Sequence, residues 1–205
     1  MNWFTSKFIG TEISSAAAAA GRSVYDELSA RAKDIPPGSE GLMVLEHWQG
    51  NRNPWTDPWS RGVIRGLTLG HGPVHVYRAI MEGVAYGSEV ILQTMRKAGV
   101  RVERIVACGG ATQSPLWMQI MADVFGIRID IPEEQQAVCL GSAVAGAVAA
   151  GLHPDLEAGA AAMVRVARVV EPDMKAHERY AEIVPHYVET YEGLKDSSRR
   201  LAQGA

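Results

Sequence analysis

VACGGATQSPLWMQIMADVFG (residues 106–126) passes from a β-branched apolar stretch through two glycines into an amphipathic segment. Gly109 and Gly110 carry no Cβ, so backbone there can come close to a bulky neighbour. Ser114 suits an N-cap and Pro115 suits the first helical position, so a helix is predicted to start at once. The free N–H groups and positive dipole end of that helix favour a phosphate or another polar group. In α/β sheets such ligands sit beyond the carboxyl ends of the strands. The same residues would serve equally as a tight strand-to-helix turn with no ligand. The spacing matches neither GxGxxG nor GxxxxGK[ST], so the stretch alone leaves both readings open.

Working outward, VERIVAC before the glycines reads as a strand, PLWMQIMADVFG as a helix and IRIDI as a strand. LGSAVAGAVAAG and DLEAGAAAMVRV are predicted as two further helices, VVEP as a short strand, and residues 174–197 as a closing helix with an exposed charged face. Upstream, one helix is predicted over residues 16–33, where Val24, Leu28 and Ala32 recur at helical spacing. DIPPGSEG ends it, because consecutive prolines and glycines cannot continue a helix. LMVLEHW then reads as a buried strand, QGNRNPWTDPWSRG as a long polar loop and VIRGLTL as another strand. A long helix follows, with Pro73 in its first turn, Lys97 in its last and Gly99 as its stop. Strands alternating with helices predict one α/β domain over residues 1–205, with helices on both faces of a sheet.

Composition narrows the function classes. Hydrophobic residues make up 47% and charged residues 21%, ordinary values for a globular chain. A net charge of −3 gives no electrostatic reason to expect nucleic acid or an anionic membrane as partner. The longest apolar run, residues 137–152, falls short of a membrane span and is expected to be a buried helix. No secretory signal is visible, so a cytoplasmic location is expected, with Cys108 and Cys139 as buried, reduced thiols.

Three stretches occur in series: NRNPWTDPWSRGVIRGLTLGHGPVHVYRAIMEGVAYG, GGATQSPLWMQIMADVFGIRIDI and LGSAVAGAVAAGL. Together they resemble the C-terminal domain of the FGGY-type carbohydrate kinases, of the actin/hexokinase/Hsp70 superfamily, and most closely its ribulokinase-type branch. The resemblance implies an actin-like ATPase (ribonuclease H-like) fold with a mixed sheet. It implies ATP-dependent phosphorylation, with Mg²⁺, of a sugar hydroxyl in a cleft between two domains. By the family's pattern Gly109 and Gly110 lie along the nucleotide, and Ser114 takes the place of a small polar residue beside it. Asn2 matches a polar position that approaches the nucleotide, and Gly141 packs a helix against the nucleotide cleft.

The same resemblance implies that an N-terminal domain supplies most sugar contacts, the glycine-rich phosphate loop and the catalytic aspartate, none of which has a counterpart here. The expectation is a nucleotide-side lobe with no catalytic residue of its own, binding ATP and meeting sugar only beside a complementary domain. Exposed apolar surface would then favour a homo-oligomer or a partner subunit. The alternative is a non-catalytic regulatory or interaction subunit that keeps the kinase fold.

Other candidates have structural readings. Asp57 and Arg61 are expected to pair and pin their loop beside Arg52, with Trp55 and Trp59 packing as anchors. His71 and His75 share a helix face at i, i+4 but lack a third metal ligand. Arg78 and Glu82 are expected to form a helix-surface pair, and Glu133 and Glu134 a solvated turn.

Overall fold

A computed structural model describes residues 1–203. The helices are α1 (Asn2–Phe8), α2 (Thr11–Ala19), α3 (Val24–Ala32), α4 (Pro73–Lys97), α5 (Pro115–Phe125), α6 (Ala137–Ala149), α7 (Leu156–Met163) and α8 (Met174–Gln203). The strands are β1 (Met43–Leu45), β2 (Val63–Arg65), β3 (Ile105–Val106), β4 (Ile129–Pro132) and β5 (Val166–Val170). β1 and β2 pair antiparallel, while β3, β4 and β5 form a mixed sheet in that order. In it β3 runs parallel to β4 and β5 antiparallel, with a register shift at Ile131/Pro132.

The helix expected over 16–33 is two helices. Ser23 Oγ accepts from Asp26 N while an Asp26 carboxylate oxygen accepts from Ser23 N, a reciprocal cap that starts a new helix. Gly21 precedes it in the left-handed region, where the chain turns the corner. Apolar periodicity carried across both helices and hid the break.

α4 is the central element. Its Tyr77, Ile80, Met81, Ala85, Tyr86 and Val90 are buried. β1 lies directly on it: a Cβ at Gly83 would stand 2.5 Å from the Val44 carbonyl oxygen. The Arg78–Glu82 pair is not on the surface. Glu82 is 0% exposed, and the pair ties α4 to α3, α8 and the turn at Gly38–Ser39. Arg78 Nε donates to Glu82 Oε1 at 2.9 Å, Nη1 to the Ala32 carbonyl at 2.9 Å and Nη2 to Tyr180 Oη at 3.1 Å. Tyr180 Oη donates to Glu82 Oε1 at 2.9 Å, Ser39 Oγ to Oε2 at 2.8 Å and Gly38 N to Oε1 at 3.1 Å. The i, i+4 spacing fixed the pair; burial came from α3 and α8 closing over it.

The inner face of the mixed sheet carries Ile105, Ala107, Ile129, Ile131 and Val170 into the core beside α4, α5 and α8. The outer row is Val106, Asp130 and Val169, aligned by register, and both valines are exposed. α6 is not the buried helix its composition suggests. Only Val144 is buried, and the helix packs on α7, where a Cβ at Gly159 would meet Val144 Cγ1 at 3.0 Å. The two thiols correct the expectation of buried cysteines: Cys108 is exposed where the chain leaves β3, and Cys139 on the open side of α6. No described helix is long and apolar enough to cross a membrane.

Candidate functional site

A cleft of about 930 Å³ opens between α3 and the turn that joins β3 to α5. Tyr25, Asp26, Ser29 and Lys33 form the α3 wall. Gly110, Gln113, Ser114, Trp117 and Asp123 form the opposite wall, with Tyr77 and Arg78 of α4 at the base.

The geometry of the turn follows from its residues. Gly109 has φ +85° and ψ −174°, a conformation open to glycine alone without strain. It turns the chain into a 3₁₀ segment, Gly110–Gln113, in which Thr112 N donates to the Gly109 carbonyl at 3.1 Å. Arg168 Nη2 of β5 holds the Thr112 carbonyl at 2.9 Å, fixing the segment against the sheet. A Cβ at Gly110 would meet nothing within 4 Å, so this residue presents bare backbone to the cleft. Ser114 is the N-cap, its Oγ accepting from Trp117 N at 3.3 Å. Pro115 occupies the first helical position as expected. The first turn of α5 therefore lies on the cleft wall.

Among charged groups in the walls, Arg78 is locked to Glu82, whereas Lys33 is exposed. Asp123 Oδ1 accepts from Gln119 Nε2 and from Asp173 N, both at 2.7 Å. Burial pushes its carboxyl above the ordinary range against those two donors. Trp117 Nε1 is buried with no hydrogen-bond partner in the protein.

The structure gathers Gly110 and Ser114 in this cleft and gives Gly109 the shaping role beneath it. Asn2 is exposed at the start of α1 and outside the cleft lining, although its neighbour Met1 is part of it. Gly141 is exposed on α6, with open space around it and no place in the lining. Sequence reasoning missed the α3 wall altogether. The Ser-x-x-Asp cap at Ser23 was the available signal, since it marks a helix start facing the turn.

The proline-rich loop between β1 and β2 forms a second polar cluster. Asp57 and Arg61 do not pair, contrary to expectation. Asp57 accepts from Trp59 N at 3.0 Å and Tyr191 Oη at 3.1 Å, while Arg61 donates to the carbonyls of Pro58 and Ser60. The loop folds down on α8, so the aspartate finds a tyrosine there before it finds the arginine. Trp55 is the anchor, stacked on Tyr191 at 3.9 Å; Trp59 and Arg52 are exposed.

His47 is buried: Asn51 Nδ2 lies 3.0 Å from Nε2 and Ser60 Oγ lies 2.7 Å from Nδ1. Burial lowers its pKa, so the ring is neutral, with Nδ1–H donating to Ser60. Glu46 accepts from Tyr187 Oη at 2.8 Å, and burial pushes its carboxyl up to about 7. His71 Nδ1 accepts from Thr68 N and His75 Nδ1 from Gly72 N, so both rings cap backbone. No group of three metal-ligating side chains occurs among the described residues. Glu133 and Glu134 are exposed, in line with a solvated turn.

Comparison with known proteins gives this geometry a family. The model of the FGGY family of carbohydrate kinases, C-terminal domain, matches residues 1–150. The chain is 35% identical over 196 residues to a ribulokinase from Bacillus licheniformis, covering 93% of this chain and 36% of that protein. It is 29% identical over 177 residues to a xylulose kinase from Bacillus subtilis, covering 86% and 36%. Among solved structures, the xylulose kinase from Rhodospirillum rubrum superposes with a TM-score of 0.78 at 26% identity, over 96% of this chain and 38% of that one. The chain thus spans little more than a third of the length of these relatives, and its actin-like α/β fold is theirs. It belongs to the FGGY family of carbohydrate kinases, in the part that forms their C-terminal domain.

Proposed function

We propose that this chain is the ATP-binding lobe of a carbohydrate kinase that moves the γ-phosphate of ATP to a hydroxyl of a sugar, with pentuloses as the substrate class. The observation that carries the reading is Gly110: bare backbone beside the capped N-terminus of α5, on a cleft whose volume suits a nucleotide. The Leu116 N–H, left without a helical partner in that first turn, and the Lys33 ammonium supply positive potential for phosphate oxygens. The Tyr25 and Trp117 side chains offer apolar and aromatic surface to a purine. Ser114 keeps its hydroxyl proton free, because its oxygen is used as the helix cap.

The two carboxylates of the cleft do not make a magnesium cage. Asp26 is committed to Ser23 and Asp123 to Gln119 and Asp173, so the metal belongs with the nucleotide's phosphates and with groups outside this chain. Nor is Asp57 free to act as a general base. Asp57 is engaged by Trp59 N and Tyr191 Oη. Phosphoryl transfer needs the hydroxyl, the γ-phosphate, metal and base held in line. One lobe can hold the nucleotide; a complementary region must bring the sugar and the base.

A coupled assay for ADP release, run on this chain with ATP, Mg²⁺ and a panel of pentuloses, tests the reading. Turnover at background level is expected for the chain alone. Robust sugar-dependent ADP release would overturn the division of labour.

A further inference from the structure

A pocket of about 400 Å³ lies between α4 and α8 and shares no lining residue with the ATP cleft. Glu89 of α4 lines it. The Glu89 side chain is 8% exposed, and Arg96 Nη1 donates to its Oε1 at 2.7 Å. Oε2 is buried and has no hydrogen-bond partner among the described residues. Burial, offset in part by Arg96, raises the Glu89 pKa, as expected of a carboxylate short of donors. A buried acceptor left open in this way is costly until a donor reaches it. Two further lining residues are acceptors as well. His177 Nδ1 lies 2.9 Å from the Asp123 carbonyl, which can only accept, so Nδ1 carries the proton and Nε2 of the neutral ring keeps a lone pair. That ring is held over Gly126, where a Cβ would come within 2.7 Å of it. Pro185 has no N–H, so the Ala181 carbonyl lacks its helical bond, and both residues line the pocket. Val124, Val184 and Val188 add apolar surface.

We propose that this pocket binds a small primary alkylammonium, its –NH₃⁺ donating to Glu89 Oε2 and its alkyl stem lying on the valines. A cationic donor makes the strongest hydrogen bond to a carboxylate held out of water. Three N–H donors also match a lining in which the partly buried groups are acceptors. An anion would meet the open Glu89 oxygen, and no group of three metal-ligating side chains among the described residues would hold a metal ion. A polyol would leave hydroxyls without partners against Val124, Val184 and Val188. The remaining lining charges are exposed: Glu189 is turned to His186 at 2.9 Å, and Lys97 stands in the last turn of α4. The pocket has the volume of a site for a small molecule. The proposal is independent of the nucleotide reading, because the two sites have no residue in common.

The test is titration of the isotope-labelled chain with n-butylammonium chloride at pH 8, followed by amide NMR. Saturating shifts are expected at Glu89, Val124 and Ala181, with a dissociation constant of about 1 mM. Butanol has the same stem without the charge, and tetramethylammonium has the charge without an N–H. Each should bind more weakly by about tenfold or more. Glu89→Gln keeps the shape and removes the charge. Ala181→Met fills the pocket from an exposed position of α8 and leaves Glu89 untouched. Each variant is expected to lose about tenfold or more in affinity for butylammonium. Both should bind ATP as the parent does, which separates failure here from failure of the nucleotide reading. If Glu89→Gln does not fold, Ala181→Met and the butanol comparison carry the test. No shift in the pocket up to about 20 mM, butanol binding as well as the amine, or undiminished affinity in either folded variant would overturn the proposal.

Discussion

Glu46 makes stability depend on pH in a direction opposite to that of most carboxylates. Its carboxyl is half-buried beside Tyr187 and Gly87, where a Cβ on the glycine would stand 2.3 Å from Oε1. Burial raises its pKa from 4.5 to about 7 against the pull of the Tyr187 hydroxyl. A carboxyl with a raised folded pKa binds its proton more tightly folded than unfolded, so its contribution is intact below pH 4.5. That contribution is lost as pH climbs from 4.5 through 7.

The difference of 2.5 units between the two values, at about 1.4 kcal/mol each, sets an upper bound of about 3.5 kcal/mol. Relaxation and water entry should bring the measured figure to about 1–2 kcal/mol. Glu46→Gln keeps an acceptor for Tyr187 and cannot ionise. The variant should therefore match the parent near pH 4.5 and exceed it at pH 8 by that amount, or about 2–8 °C in melting temperature. Urea unfolding between pH 4.5 and 8.5, followed by tryptophan fluorescence, reads the difference directly. Parallel curves for the two proteins across that range, or a less stable variant at pH 8, would show that Glu46 is not the desolvated acid described.

Three further expectations concern the scaffold of the cleft. Arg78→Met should cost about 3–5 kcal/mol, because Glu82 would be left charged and buried without its cation; chemical denaturation measures it. Gly83→Ala should cost about 1–3 kcal/mol by forcing β1 away from α4, again by denaturation. Gly109→Ala should cost about 1–2 kcal/mol through the positive φ it must adopt, while Gly110→Ala, with open space and an ordinary φ, should melt with the parent in calorimetry.

The strong local signals were legible in the sequence. Pro73 and Gly99 bounded the long helix, and Ser114-Pro115 began α5 at the expected residue. Both are local effects of backbone chemistry. What periodicity missed was set by tertiary contact. Arg78 and Glu82 look like a surface pair until α3 and α8 close over them. Asp57 faces Arg61 in sequence but Tyr191 in space. The composition of α6 says burial, yet among its residues only Val144 is buried, beside α7. In the cleft, Gly110 and Ser114 were readable because they sit on one continuous turn. Tyr25, Lys33 and Trp117 were not, because their meeting depends on the angle between α3 and α5.

Calorimetric titration of ATP into the parent chain and into Gly110→Val decides the nucleotide reading. The valine side chain would enter open cleft, not packed protein, so its melting temperature should equal the parent's. The parent should bind ATP and the variant should bind more weakly by about tenfold or more, a loss of about 1.4 kcal/mol or more. An equally stable variant with undiminished ATP affinity, or a parent that gives no heat at millimolar ATP, would contradict the account.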